Sequence, residues 1–243
     1  MDLATGELAL VVVVVFAGAF VRGLTGFGAA LTWVSGLILV MPADEAVPLI
    51  FLLDVGLSAT LLPKALPDVD WGSTRWLMVG AVVGLPVGIA VLSAIDPTPM
   101  QAVVSVVVLV SVIALWFDRR LERDPPRAGV VATGVVSGVL NGATSAGGPP
   151  VITFFLASPS GMRVGRASLT AYFGGMDIVG TTILAATGHI GSETLLRALL
   201  GLPALVAGGL LGGRRFEALS EDTVRRVALV VLAVLAIVGL LRL

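Results

Sequence analysis

Arg22 stands in a long apolar run and is followed at once by Gly23-Leu24-Thr25-Gly26-Phe27-Gly28. A guanidinium deep in a membrane segment costs about 2.5–3.5 kcal/mol on insertion scales, so it faces a polar cavity or a partner. Anion binding is the chemistry such a group serves. Snorkelling to a headgroup, or pairing with an internal aspartate, is the structural alternative. A second glycine-rich interruption reads Asn141-Gly142-Ala143-Thr144-Ser145-Ala146-Gly147-Gly148-Pro149-Pro150. Shifted by 119 positions, Gly23 falls on Gly142, Thr25 on Thr144 and Gly28 on Gly147. Paired breaks at corresponding places in two halves point to the substrate site of a secondary transporter.

The breaks bring donors of their own. Where a chain unwinds and re-enters a helix, the first N–H groups have no intrahelical acceptor and the helix dipole is positive. Helices starting near Gly28 and near Pro149 present such ends, and Pro149-Pro150 suits a helix start because φ is preset there. Thr25, Thr144 and Ser145 add hydroxyls, and Asn141 adds an amide. An oxyanion such as sulfite or a sulfonate fits this donor set. For either tract alone, close helix packing through small residues explains the composition as well.

Asp54 and Asp177 lie mid-segment and are candidate proton-coupling groups, with a structural ion pair as the other reading. Tyr172, the single tyrosine, precedes Asp177 by one to two helical turns; it either bonds a substrate oxygen or lines a helix interface. Phe27 and Trp33 form an apolar wall or face lipid. His189, the single histidine, falls in a connector; it has no companions for a metal site. No metal and no cofactor is expected.

The elements that position these residues are membrane helices. Hydrophobic residues make up 57% and charged residues 13% of 243, about half the charge of a soluble domain, and mean hydropathy is +1.04. Thirty glycines allow close helix approach and local breaks. The absence of cysteine excludes disulfides, iron–sulfur clusters and a thiolate nucleophile. Asp2 and Glu7 replace the basic start of a cleavable signal, so the first apolar segment is read as retained. No nucleic-acid patch is present.

Ten apolar segments can be drawn: 3–21, 27–41, 46–62, 73–94 and 99–117, then 128–141, 146–158, 167–187, 194–212 and 223–242. The connector 118–127 divides the chain into an N-terminal repeat, 1–117, and a C-terminal repeat, 128–243. Gly84-Leu85-Pro86 and Gly201-Leu202-Pro203 correspond, as do Asp54 and Asp177. Segments 128–141 and 146–158 are too short to span, since about 20 residues are needed, and read as a re-entrant hairpin; 3–41 is longer, so its members cross or re-enter. Three further crossings per half invert the second repeat relative to the first. Placing 118–127 inside puts twelve of the fifteen basic residues inside, and connectors 42–45, 95–98 and 188–193 then lie outside without Lys or Arg. The expectation is an all-α polytopic membrane protein, N-out and C-out. It has two inverted-topology repeats, each a broken or re-entrant helical hairpin plus three transmembrane helices.

The tracts Gly18–Gly28 and Asn141–Pro150 together resemble the TauE/SafE sulfite exporter family, also called the toluene sulfonate uptake permease family, over nearly the whole chain. The resemblance implies a bacterial inner-membrane protein carrying sulfite, sulfonates such as sulfoacetate or related small organic anions. Its motif positions carry over to Arg22, Gly23, Thr25, Gly26, Phe27, Gly28, Asn141, Gly142, Gly147, Gly148, Pro149 and Pro150. Members are described with seven or eight transmembrane helices, fewer than the ten segments drawn above.

The resulting expectation is a proton-coupled secondary transporter, an exporter working by alternating access. Its substrate site comprises those residues, Pro150 apart, with Thr144, Ser145 and Tyr172. The expected partners are a small sulfur-containing anion, protons and the lipid bilayer, with no nucleic acid and with a homodimer as the assembly to test. An anion channel is the nearest alternative. An intramembrane serine hydrolase using Ser145 and His189 is the enzymatic one, and it requires two residues expected at different depths to meet.

Overall fold

The computed structural model describes residues 5–95, 126–158 and 161–216, with single positions at 99, 106, 110, 113, 223 and 230. Segments 99–117 and 223–242 and most of the connector 118–127 therefore lie outside the described residues. The described chain is all helical: α1 Thr5–Thr25, α2 Ala29–Leu37, α3 Ala43–Ala65, α4 Trp71–Ala94, α5 Arg127–Thr144, α6 Gly148–Ala157, α7 Gly161–Ala186 and α8 Ser192–Phe216. A single 3₁₀ turn, Leu66–Asp68, links α3 to α4. Long apolar helices able to cross a bilayer cover Ala43–Asp68, Trp71–Ala94, Arg163–Ala186 and Ser192–Arg215.

Glycine spacing decides which helices touch. Gly80, Gly84 and Gly88 recur every fourth residue along one stripe of α4. A Cβ at any of them would run into the backbone of Val131, Val135 or Val139 on α5. The facing stripe of α5, Gly134, Gly138 and Gly142, meets the backbone of Leu77, Ala81 and Leu85 in return. Bare backbone on both sides lets the axes approach until dispersion and carbonyl dipoles hold them, the usual basis of helix association where lipid removes the hydrophobic drive. Helices α1 and α8 use the same device: Gly208 and Gly212 meet the Phe16 and Phe20 carbonyls, and Gly23 meets that of Gly209.

The packing is reciprocal. Helix α1, first of the N-terminal half, packs on α8, and α5, first of the C-terminal half, packs on α4. Helix α3 packs on α7, the third of each half on the third of the other. Valines of α4 (Val79, Val82, Val83, Val87) and leucines of α8 (Leu195, Leu196, Leu199, Leu210) are exposed, as surfaces facing hydrocarbon are. Helices α3 and α7 instead bury polar groups, among them Asp54, Ser58 and Asp177.

Two boundaries differ from expectation. Helix α1 runs on through Thr25, and α5 through Thr144 to a length of 18 residues, about 27 Å at 1.5 Å per residue. Only the returning members of the two hairpins, α2 with 9 residues and α6 with 10, are short. The reason is where the helix-ending residue sits. Gly26, not Gly23, takes the left-handed conformation after α1, and Ser145 takes it after α5. Arg22, Gly23, Thr25, Asn141, Gly142 and Thr144 therefore remain helical, and Gly23 and Gly142 serve as packing points.

Candidate functional site

The two breaks end their first helices in the same way and part at the next cap, where Gly28 is left-handed at φ 87° and Gly147 is not, at φ −72°. The Gly26 N–H closes α1 on the Arg22 carbonyl at 2.7 Å, and the Ser145 N–H closes α5 on that of Asn141 at 2.8 Å. The Thr25 hydroxyl donates to the Val21 carbonyl and accepts from the Phe27 N–H; the Thr144 hydroxyl donates to Leu140 and accepts from the Ala146 N–H. Each threonine thus ties the last turn to the residue beyond it. This corrects the view of Thr25 and Thr144 as free hydroxyl donors, because each hydroxyl's proton is engaged by its own helix. The Ser145 hydroxyl, buried, makes no hydrogen bond.

The short helices begin where expected but are not equal donors. Helix α2 starts behind Gly28 and α6 behind Gly147, neither with a side-chain cap. Ala29, Ala30 and Leu31 offer three amides at the start of α2. Pro149 and Pro150 carry no N–H, which leaves the start of α6 with Gly148.

Arg22 occupies the last turn of α1 with its side chain 1% exposed. One guanidinium nitrogen donates to the Asp54 carboxylate and the other to the Ser58 hydroxyl at 2.8 Å. Asp177 Oδ2 lies 3.8 Å from the same guanidinium, and the Phe173 ring centroid 5.5 Å from its carbon. Asp54 and Asn141 both neighbour the Asp177 carboxyl. One buried cation thus stands between two buried carboxyl groups contributed by the mutually packed α3 and α7. The pairing reading of Arg22 is therefore realised. Ser58 and Phe173, which sequence reasoning did not single out, complete its surroundings.

The correspondence reaches beyond the breaks. The residue matching Arg22 is Asn141, beside Asp177. One turn on from each aspartate stands a hydroxyl: Ser58 after Asp54, and Thr181 after Asp177. Ser58 takes part in the Arg22 cluster, whereas the buried Thr181 Oγ1 makes no hydrogen bond.

A family model described as sulfite exporter TauE/SafE matches residues 10–239, across both breaks and both aspartates. The chain belongs to the TauE/SafE family. Neither the curated proteins nor the solved structures gave a match. Family membership and the four long apolar helices make it a multi-pass membrane protein of a transporter family whose substrate is a small anion.

In this TauE/SafE protein Tyr172 is buried, and its hydroxyl donates to Ser137 at 2.9 Å; Ser137 in turn donates to the Gly147 carbonyl. Tyr172 therefore braces the second break from α7. Arg166, also on α7, does the same at the first: it donates to the Gly23 carbonyl, and its Cγ fills the space a Cβ at Gly26 would take. By sequence Arg166 is simply one of the twelve basic residues on the inner side. Phe27 and Trp33 are buried, and the Trp33 indole donates to the Val15 carbonyl at 3.0 Å, so neither faces lipid. His189 is bonded to Ser93 and Thr187 in an exposed connector, so Ser145 and His189 are not brought together. Among the described residues no cluster of metal-ligating side chains occurs.

Proposed function

We propose that the chain is a proton-coupled secondary transporter that exports sulfite or a small sulfonate such as sulfoacetate across the bacterial inner membrane. In this reading the termini lie outside, the two halves are inverted repeats, and access alternates between the two faces. The observation that carries it is Arg22, buried at the end of α1 and shared between Asp54 and Asp177. The guanidinium contributes one positive charge and the carboxyls up to two negative ones. With both carboxyls ionised the cluster is net negative and repels an anion. Each proton bound moves it one charge toward accepting one. An anion taking Arg22 away from Asp54 leaves a buried carboxylate uncompensated, which proton binding relieves. Anion and proton therefore favour each other's binding, and that linkage couples their fluxes.

The reciprocal contacts of α1 with α8 and α4 with α5 support a rocking exchange between halves. Residues of the first break, Gly26 to Gly28 with the amides of α2, complete the anion site, and Asn141, Ser145, Gly147 and Gly148 close it from the second. Thr25, Thr144, Pro149 and Tyr172 hold those tips in shape.

Efflux from proteoliposomes tests the proposal. Vesicles loaded with sulfite or sulfoacetate and a trapped pH indicator should show saturable, protein-dependent efflux with alkalinisation of the interior. Both should be lost in Arg22→Ala. Non-saturating flux that ignores an imposed pH gradient contradicts carrier coupling and supports a channel.

A further inference from the structure

Five buried side-chain atoms among the described residues make no hydrogen bond: Arg22 Nε, Thr74 Oγ1, Ser145 Oγ, Asp177 Oδ2 and Thr181 Oγ1. Such atoms call for an explanation, because a buried polar group without a partner is costly. Thr74 stands apart near the start of α4. The other four sit on residues that belong to the Arg22–Asp177–Asn141 cluster or lie one helical turn from it. Arg22 faces Asp177 across 3.8 Å. Thr181 lies one turn from Asp177 on the same face of α7. Ser145 lies one turn beyond Asn141, which neighbours the Asp177 carboxyl.

Their chemistry is unequal. The Arg22 Nε–H and the Ser145 and Thr181 hydroxyls are three donors, and the Asp177 oxygen is an acceptor. A metal cation would meet the guanidinium head-on. A fully ionised oxyanion would satisfy the donors but turn an oxygen toward the carboxylate. A singly protonated oxyanion answers all four, accepting three hydrogen bonds and donating its own proton to Asp177. We infer that this site selects a small oxyanion that enters with one proton of its own, hydrogensulfite being the type, over sulfate and over aprotic sulfonates. The inference rests on the anion-transport reading above and narrows its substrate class. The carboxylate of Asp177 is the specificity element, because an anion without a proton leaves it facing an oxygen. In this scheme the coupled proton neutralises Asp54 as the anion takes its place on Arg22, and the Asp177 carboxylate reads the anion's own proton.

Binding to the purified full-length protein in detergent, at mildly acidic pH, tests this with four probes: hydrogensulfite, hydrogenselenite, methanesulfonate and sulfate. The first two carry a proton. Methanesulfonate has the same single charge and none. Hydrogensulfite and hydrogenselenite should bind about tenfold or more tighter than methanesulfonate, as a site with an unpaired buried polar group discriminates. In Asp177→Asn the amide can turn a donor toward an aprotic anion, and the preference should shrink to under about threefold. Equal binding of hydrogensulfite and methanesulfonate by the wild type overturns the inference, and that comparison needs no variant to fold. A preference left intact in Asp177→Asn also overturns it. If anions bind in an Arg22-dependent way without this preference, the transport reading survives and the inference alone fails. If no probe binds in an Arg22-dependent way, both fall.

Discussion

Gly26 and Ser145, 119 positions apart, hold the same left-handed backbone, at φ 84° and 55°. Ser145 is the one non-glycine residue with positive φ among the described residues. A left-handed residue with a Cβ carries a strain of about 1–2 kcal/mol, and the glycine at the matching place shows that the turn does not need the side chain. Ser145→Gly should therefore fold at least as well as the wild type, by up to about 1 kcal/mol in thermal or denaturant unfolding. Anion affinity should nevertheless fall several-fold through loss of the unpartnered hydroxyl. Ser145→Ala should lose the same affinity without the gain in stability. Undiminished binding in both variants would remove Ser145 from the site.

Glycines that meet backbone differ from glycines that meet open space. Gly84→Ala drives a methyl into the Val135 carbonyl, which cannot move without separating α4 from α5. The cost should be about 1–3 kcal/mol, as for overpacking elsewhere. Gly56→Ala on α3 meets Leu202 at an ordinary 3.5 Å and should be neutral or slightly stabilising, since alanine favours helix. Unfolding of both variants in the same detergent checks the contrast. Equal effects would mean that α4 and α5 are not in backbone contact.

Removing Asp54's charge strands Arg22. Breaking a buried pair from one side costs about 3–5 kcal/mol, whereas replacing both members by apolar residues is often neutral. Asp54→Asn should therefore be strongly destabilised, and Arg22→Met with Asp54→Leu should recover stability while transport stays absent. Restored transport in the double variant would show the pair to be purely structural.

His189 joins Ser93 to Thr187 at an exposed connector. His189→Ala should leave anion flux within about twofold of wild type, since a surface substitution away from special features changes little. Loss of flux would give this residue a part the site geometry does not.

Much of this architecture is legible because lipid imposes simple rules. Apolar run length marks the helices, and the described ones fall close to the segments drawn. The duplicated tracts mark the breaks, since few residues besides glycine suit a left-handed turn. Three things escape the sequence. The break lies later than the motif's first glycine because Gly23 and Gly142 serve helix contacts, and composition does not separate a packing glycine from a turning one. Thr25 and Thr144 read as ligand donors, yet a hydroxyl near a helix end bonds its own backbone first. The company of Arg22 is hidden because Asp54, Ser58, Phe173 and Asp177 come from distant helices, and one sequence carries no register between helices. Arg166 looks like a topology charge for the same reason.

In the proposed cycle Arg22, between Asp54 and Asp177, holds the transported anion. Thermal unfolding of the purified wild type, Arg22→Lys and Arg22→Ala, each with sulfite, sulfoacetate, taurine, sulfate and acetate, tests it directly. A ligand that binds the folded state raises apparent stability by linkage. Stabilisation of the wild type by a sulfur oxyanion is predicted, weakened in Arg22→Lys, whose ammonium lacks the guanidinium fork, and gone in Arg22→Ala. Equal stabilisation of all three proteins would place the anion elsewhere and contradict the account.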